Sequence, residues 1–218
     1  MKNLTIKNGS KNYSAGKLVC VGRNYKAHAE ELGNEVPEFP IIFLKPNSVL
    51  IQSGEEIIHP EYSKDLHHEV ELVLLIGKEV KNANDEEAED AIAGYAVGLD
   101  MTLRDIQSEL KKNGHPWTLA KVFDGSALVS EFVLKEDYQL RGKEEITLSV
   151  NNEIRQKAAL DKMIFDAKEI VKYISSKMKL EEGDLIFTGT PEGVGKVERG
   201  DTITASIENI GSLYTKIK

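Results

Sequence analysis

The segment His67-His68-Glu69-Val70-Glu71-Leu72-Val73-Leu74-Leu75-Ile76 constrains the fold more than any other, because it sets two carboxylates one residue apart in what otherwise reads as a buried strand. Side chains two apart on a strand share a face, with Cα atoms roughly 6.6 Å apart. Glu69 and Glu71 therefore point together, while Val70 and Leu72 face the other way. Such a pair suits one hard cation: joined by a third carboxylate, each gives an oxygen at about 2.0 to 2.1 Å to Mg²⁺ and leaves the remaining octahedral positions to water or substrate. The same residues also fit an edge strand with a solvated acidic face, since Glu is rarely buried without a partner.

A third carboxylate is available in Gly94-Tyr95-Ala96-Val97-Gly98-Leu99-Asp100-Met101-Thr102, where an apolar strand ends on Asp100. A helical pattern then opens at Leu103-Arg104-Asp105-Ile106-Gln107 and closes at Asn113-Gly114. A strand end is where side chains line sites rather than cores. Asp100 fits a helix cap near Thr102 equally well at this level, because Asp is a favoured capping residue. Asp105, in the first turn, suits the helix dipole.

Six strings occur in order: Cys20-Val21-Gly22-Arg23-Asn24-Tyr25, Phe43-Leu44-Lys45-Pro46, His67-His68-Glu69-Val70-Glu71-Leu72, Leu99-Asp100-Met101-Thr102-Leu103-Arg104-Asp105-Ile106-Gln107, Pro116-Trp117-Thr118-Leu119-Ala120-Lys121 and Gly183-Asp184-Leu185-Ile186-Phe187-Thr188-Gly189-Thr190-Pro191. In these strings the chain resembles the fumarylacetoacetate hydrolase family, and most of all its short members, the acylpyruvase and oxaloacetate decarboxylase group. The likeness runs from about residue 17 to the C-terminus, leaving residues 1–16 as a short lead-in to a catalytic domain over 17–218. It implies an α+β fold, a mixed β-sheet roll with peripheral helices, usually dimeric. It also implies that Glu69, Glu71 and Asp100 bind Mg²⁺ or Mn²⁺, and that Arg23, Lys45, Arg104, Gln107 and Thr190 contact a small anionic 2-oxo acid. By default each of Arg23, Lys45, Arg104 and Lys121 would be a solvated surface charge. The preference of Arg for planar carboxylates adds to the family likeness.

The short stretch Asn24 to Leu32 carries the candidate for proton transfer. His28 and Glu31 are three apart and share a helix face, where a carboxylate can orient an imidazole and raise its basicity. Residues alone favour a solvated amphipathic helix; the resemblance implies instead a dyad that activates water, on a lid that orders when ligand binds. Glu30 is adjacent, but the family spacing selects Glu31. His67 shares the face of Glu69 and could support a metal ligand. His59 and His115 carry no signal beyond their loops. In Thr188-Gly189-Thr190-Pro191, Gly189 permits close backbone approach and Thr190 offers a hydroxyl for a substrate carboxylate. Gly193-Val194-Gly195 is too short for a phosphate loop and reads as a turn.

The implied chemistry is cleavage of a C–C bond β to a polarised carbonyl, through a metal-stabilised pyruvate enolate assisted by Lys121. With an acylpyruvate, water activated by His28 and Glu31 attacks the distal acyl carbonyl; with oxaloacetate, CO₂ departs directly. Fumarylpyruvate hydrolases and the decarboxylases and isomerases of aromatic-acid breakdown share the metal motif, as does a protein that kept the fold and lost turnover.

Charge and composition narrow the partners. The formal net charge of −8 argues against general nucleic-acid binding, and it requires local cations wherever an anion is recognised. With 40% hydrophobic residues in 218, one domain can bury a substantial core. No apolar run approaches the roughly 18 residues of a membrane span, and Met1 to Gly16 is too polar for a signal peptide. One cysteine, Cys20, suits a reducing compartment and reads as a small core residue, so a soluble, cytoplasmic protein is expected.

Strands are predicted over 17–22, Ile41 to Leu44, near 56–58, and over 69–76, 94–100, 125–133, 146–150, 184–188, 201–208 and 212–217. Helices are predicted over Asn24 to Leu32, 85–92, 103–112 and 164–178. An Asn pair, Asn151-Asn152, marks a hairpin turn because Asn tolerates positive φ.

Overall fold

The computed structural model describes residues 2–9, 11–31 and 33–218. Two short strands, β1 (Asn3–Leu4) and β2 (Tyr13–Ser14), pair antiparallel ahead of the main fold. β3 (Leu18–Gly22) leads through α1 (Lys26–Glu31) to β4 (Ile41–Lys45), β5 (Leu50–Gln52), β6 (Leu66–His68) and β7 (Val70–Ile76). α2 (Asp85–Ala91) runs directly into β8 (Ile92–Asp100), followed by β9 (Thr102–Leu103), α3 (Arg104–Lys112) and α4 (Thr118–Lys121). Next come β10 (Ala127–Val129), β11 (Val133–Leu134), β12 (Glu145–Val150), β13 (Glu153–Ala159) and α5 (Ala167–Lys177). β14 (Leu185–Phe187), β15 (Gly195–Lys196), β16 (Thr202–Ile207) and β17 (Gly211–Lys216) complete the chain.

The main sheet runs β4-β3-β14-β7-β8-β10-β5, with β11 also on β8. It is mixed: β14 is parallel to β3 and β10 to β5, and the other pairs are antiparallel. A second sheet, β13-β12-β16-β17, packs against it, and a small third one joins β15, β6 and β9. β7 shows why the sheets curl together. Val70, Leu72, Leu74 and Ile76 share one core with Ile146, Leu148, Ile203 and Leu213 of the second sheet, whereas Val73 and Leu75 face a separate core with Cys20, Phe187 and Phe132. A strand buried on both faces reads as a continuous apolar run, which is what the sequence shows. This arrangement bears out the α+β roll with peripheral helices. Cys20 is a buried, free core residue.

Helices 85–92 and 103–112 lie where predicted, as α2 and α3. The helix predicted from 164 starts at Ala167, because Asp166 accepts the Glu169 amide and Glu169 closes the capping box. α1 starts at Lys26 rather than Asn24: the Asn24 carbonyl is committed to Ile164 N–H at 2.7 Å, and Arg23 before it has φ 59°. Leu32, where that helix was expected to end, lies outside the described residues. The strand predicted over 125–133 is broken into β10 and β11, and that near 56–58 is reduced to a bridge between Ile57 and Ile217. Asn151 (φ 50°) and Asn152 (φ 67°) form the expected hairpin turn, since both central residues of a type I′ turn need positive φ.

Candidate active site

Three buried carboxylates meet where β7 and β8 leave the main sheet. β6 and β7 do not form one strand: the chain steps from the small sheet to the large one at Glu69, whose carbonyl accepts the Asp100 N–H at 2.9 Å. The register pairs Val70 with Leu99 and Glu71 with Gly98, which sets Asp100 beside both glutamates. Gly98 is required there, because a Cβ would lie 2.4 Å from Val73 and 2.8 Å from Phe187. One ligand oxygen from each of Glu69, Glu71 and Asp100 lies within 4.8 Å of the others. The solvated acidic face is thereby excluded: the three residues are 5%, 2% and 1% exposed. Asp100 does not cap α3 either, since the helix starts at Arg104 behind Leu103 with no side-chain cap. Asp105 accepts bonds from Ser63, Lys64 N–H and Ile106 N–H, so it fixes a loop as well as facing the helix dipole.

Buried charge needs partners, and three cations supply them. Lys121, from α4, is 2.7 Å from Glu69, 2.7 Å from Asp100 and 2.6 Å from the Thr102 hydroxyl. Arg104 pairs with Glu69 and donates to Gln107 Oε1 at 2.5 Å. Lys45 sits 2.5 Å from Asp100 Oδ1 and donates to the carbonyls of Ser126 (2.6 Å) and Met101 (3.2 Å). Burial alone would raise the Glu69 carboxyl, but Lys121 and Arg104 overcome it and hold Glu69 well below the usual carboxylate range. Burial also opposes the charge on Lys121, yet Asp100 and Glu69 push its ammonium up. Among the described residues, Glu71 has no such ion pair. It accepts the Gly189 N–H at 2.8 Å, and burial, Asp100 and Glu69 together push its carboxyl well up. An acidic triad whose third member is destabilised by its neighbours fits a divalent cation, which removes that repulsion.

His28, on α1, lines one cavity with the triad, and its Nδ1 lies 3.3 Å from Glu31 Oε2 on the same helix. Glu31 also accepts the Gly193 N–H at 3.1 Å, which ties α1 to the turn before β15. Burial lowers the His28 pKa below 6.5, with partial compensation from Glu69 and Glu31, so the imidazole is neutral near pH 7. Glu30 pairs instead with Lys26 at 3.7 Å.

The cavity of about 40 Å³ brings together Arg23, Arg104, Gln107, Thr190, Lys121 and His28 around the triad. Lys45, expected to contact substrate, does not line it. From the end of β4 its ammonium reaches Asp100 and the carbonyls of Met101 and Ser126, with the whole residue 1% exposed. Its position serves Asp100 rather than a ligand. His67 bonds to Asp65 (3.0 Å), not Glu69, and His68 to Gln156 (3.0 Å). Lys111, Phe43 and Trp117 also line the cavity and escaped the sequence reading. Lys111 lies two turns beyond Arg104 on α3, a spacing that could have revealed it. Nothing in the sequence marks Gln156, which is 1% exposed on a strand of mostly exposed residues.

A mixed sheet roll with an acidic triad at its strand ends and a His–Glu pair above defines a metal-type hydrolase or lyase scaffold. The fumarylacetoacetate (FAA) hydrolase C-terminal family model matches residues 17–218, and the chain belongs to this family. The chain is 45% identical over 201 residues to the mitochondrial oxaloacetate tautomerase of Bos taurus, covering 92% of this chain and 91% of that protein. The tautomerase of Arabidopsis thaliana is 48% identical over 202 residues, at 93% and 91% coverage. Among solved structures, fumarylpyruvate hydrolase from Pseudomonas aeruginosa, in complex with Mn²⁺ and pyruvate, superposes with a TM-score of 0.95 at 38% identity, covering 99% of this chain and 95% of that one.

Proposed function

We propose that the protein is a Mg²⁺- or Mn²⁺-dependent enzyme that breaks a C–C bond in a small 2-oxo acid, by acylpyruvate hydrolysis, oxaloacetate decarboxylation or both. The single observation that carries this is the buried Glu69–Glu71–Asp100 cluster sharing one cavity with His28, which Glu31 contacts from the same helix. A divalent cation held by the three carboxylates supplies Lewis-acid polarisation of the 2-oxo group. The protein's own residues do the rest. Arg104, oriented by Gln107, and Thr190 hold the substrate carboxylate; Arg23 and Lys111 lie at the mouth for a second, distal carboxylate. Lys121 offers charge to the oxygen that becomes negative as the bond breaks. Neutral His28, oriented by Glu31, takes a proton from the water that attacks an acylpyruvate. Residues 17–218 are assigned to this catalytic unit and residues 1–16 to a lead-in.

A second reading is favoured by the names of the relatives, which are oxaloacetate tautomerases. Enol–keto exchange moves a proton between the C2 oxygen and C3 of oxaloacetate, forming or breaking a C3–H bond while every C–C bond stays intact, and His28 is the base placed to carry it. An isomerase of aromatic-acid breakdown is a related alternative: 5-carboxymethyl-2-hydroxymuconate delta-isomerase of Mycobacterium smegmatis superposes with a TM-score of 0.83 at 37% identity. Oxaloacetate, acetylpyruvate and fumarylpyruvate, each with Mg²⁺ or Mn²⁺ and again after chelation, separate these readings: pyruvate release marks cleavage, and loss of enol absorbance without pyruvate marks tautomerisation. Turnover undiminished by chelation would overturn the metal assignment.

A homodimer fits the exposed edge strand β4, whose Leu44 is 47% exposed, together with Leu119 on α4 at 68%. Sedimentation tests it. Among the described residues no helix is long and apolar enough to cross a membrane. The single buried thiol supports a reducing compartment, for which we retain the cytoplasm; the relatives are named as mitochondrial, and cell fractionation decides.

A further inference from the structure

We infer that Gln156 is a positioning residue that fixes the Thr190 hydroxyl as a hydrogen-bond donor toward the carboxylate of the bound 2-oxo acid. The inference rests on the reading of the cavity as a 2-oxo-acid site. Gln156 is buried on β13, and its amide makes four bonds. Oε1 accepts from Val70 N–H at 3.1 Å and faces His68 Nδ1 at 3.0 Å. Nε2 donates to the Pro191 carbonyl at 2.8 Å and to Thr190 Oγ1 at 2.8 Å.

Two of these partners leave no choice of orientation. A backbone N–H can only donate and a backbone carbonyl can only accept, so Val70 and Pro191 decide which end of the amide is oxygen and which is nitrogen. A flipped amide would set N–H against N–H at Val70 and oxygen against oxygen at Pro191. Thr190 Oγ1 is therefore an acceptor toward Gln156, and its own proton is left for another partner. Thr190 is 3% exposed and lines the cavity with the acidic triad. A hydroxyl proton there meets a carboxylate in the required polarity; a hydroxyl that donated backward would present lone pairs to an anion.

A bulge delivers Gln156 to this place. The pairing of β12 with β13 steps from Leu148↔Gln156 to Ser149↔Ile154, which leaves Arg155 as the extra residue. Such a residue re-aims its neighbours. It also brings the Arg155 carbonyl so close to Gly193 that a Cβ there would lie 2.0 Å away. Gln156 thus links β7, which carries Glu71, to the Thr188–Pro191 turn, in parallel with the Gly189–Glu71 bond.

Calorimetry of pyruvate binding to the Mn²⁺-loaded protein tests the assignment. Gln156→Glu offers Thr190 an acceptor and turns its proton away, so pyruvate should bind about 10- to 100-fold more weakly, the usual cost of a lost bond to a charged group. Thr190→Val should lose a similar factor, Thr190→Ser should retain binding, and the double variant should bind no more weakly than Thr190→Val alone. Mn²⁺ affinity should stay unchanged in every variant. If Gln156→Glu does not fold, Gln156→Met is read in the same way. Additive losses in the double variant, or a parallel fall in Mn²⁺ affinity, overturn the positioning role and leave a merely structural one. Failure of the unaltered protein to bind pyruvate at all overturns the 2-oxo-acid reading itself.

Discussion

His28 illustrates how one residue's surroundings set its chemistry. Burial keeps the imidazole neutral, and only the neutral form accepts a proton. Acylpyruvate hydrolysis should therefore be flat above pH 6.5 and fall as the pH drops through the lowered His28 pKa; a pH–rate profile that rises toward acid would remove it as the base. His28→Ala should abolish that limb and lower hydrolysis by about 10² to 10⁴, with a smaller loss for oxaloacetate decarboxylation, which needs no water. Equal, small effects on the two substrates would count against the role. Arg104 and Lys121 differ in the same spirit. Arg104 already spends one nitrogen on Glu69 and another on Gln107, so Arg104→Lys should chiefly raise KM by losing the fork geometry. Lys121→Met should chiefly lower kcat, because its charge matters most when negative charge develops. Steady-state kinetics on oxaloacetate read both.

Asn24 does at the level of elements what the carboxylates do for the cation. Fully buried, its side chain accepts from Phe165 N–H (2.8 Å) and donates to the carbonyls of Thr188 (2.7 Å) and Phe165 (3.0 Å). This ties the entry of α1 to the strand end that carries Thr190 and to the segment before α5. Gly189 (φ 97°) lies against it: a Cβ there would meet Asn24 Cβ at 2.7 Å. Asn24→Ala leaves a buried donor and two carbonyls unpaired, so urea unfolding should show a loss of about 2 kcal/mol or more. Activity should fall as well, since α1 carries His28 and Glu31. Asp166→Ala removes only the cap of α5 and should cost about 1 kcal/mol with activity intact. Equal losses of activity in the two variants would mean that α1 is not held through Asn24.

The molecule as a whole stores an electrostatic conflict that a cation relieves. Metal-free, Glu71 is buried beside two other carboxylates. A ligand that binds only the folded state at 100 times its Kd adds about 2.7 kcal/mol, or roughly 5 to 11 °C in Tm for a chain of this size. Mg²⁺ or Mn²⁺ should give a thermal shift of that order, and Glu71→Gln should abolish the shift without lowering the Tm of the chelated protein. A variant that keeps the full shift would place the cation elsewhere.

The sequence by itself determined much of this. Continuous apolar runs placed β7 and β8, helical patterning placed α2 and α3, the Asn pair placed a hairpin, and the spacing of Glu69 and Glu71 pointed to a cation. These are local facts: side-chain period and turn chemistry act over a few residues. The tertiary structure decided the rest. It broke the chain at Glu69 between two sheets, and the antiparallel register then brought Asp100 alongside, some thirty residues later. It put Lys45 behind Asp100 rather than in the cavity, and it chose Gln156 from an exposed-looking strand by a bulge. Those outcomes depend on which strands pair and in what register. Pairing is settled by the burial of whole faces against each other, and no short stretch of sequence contains that information.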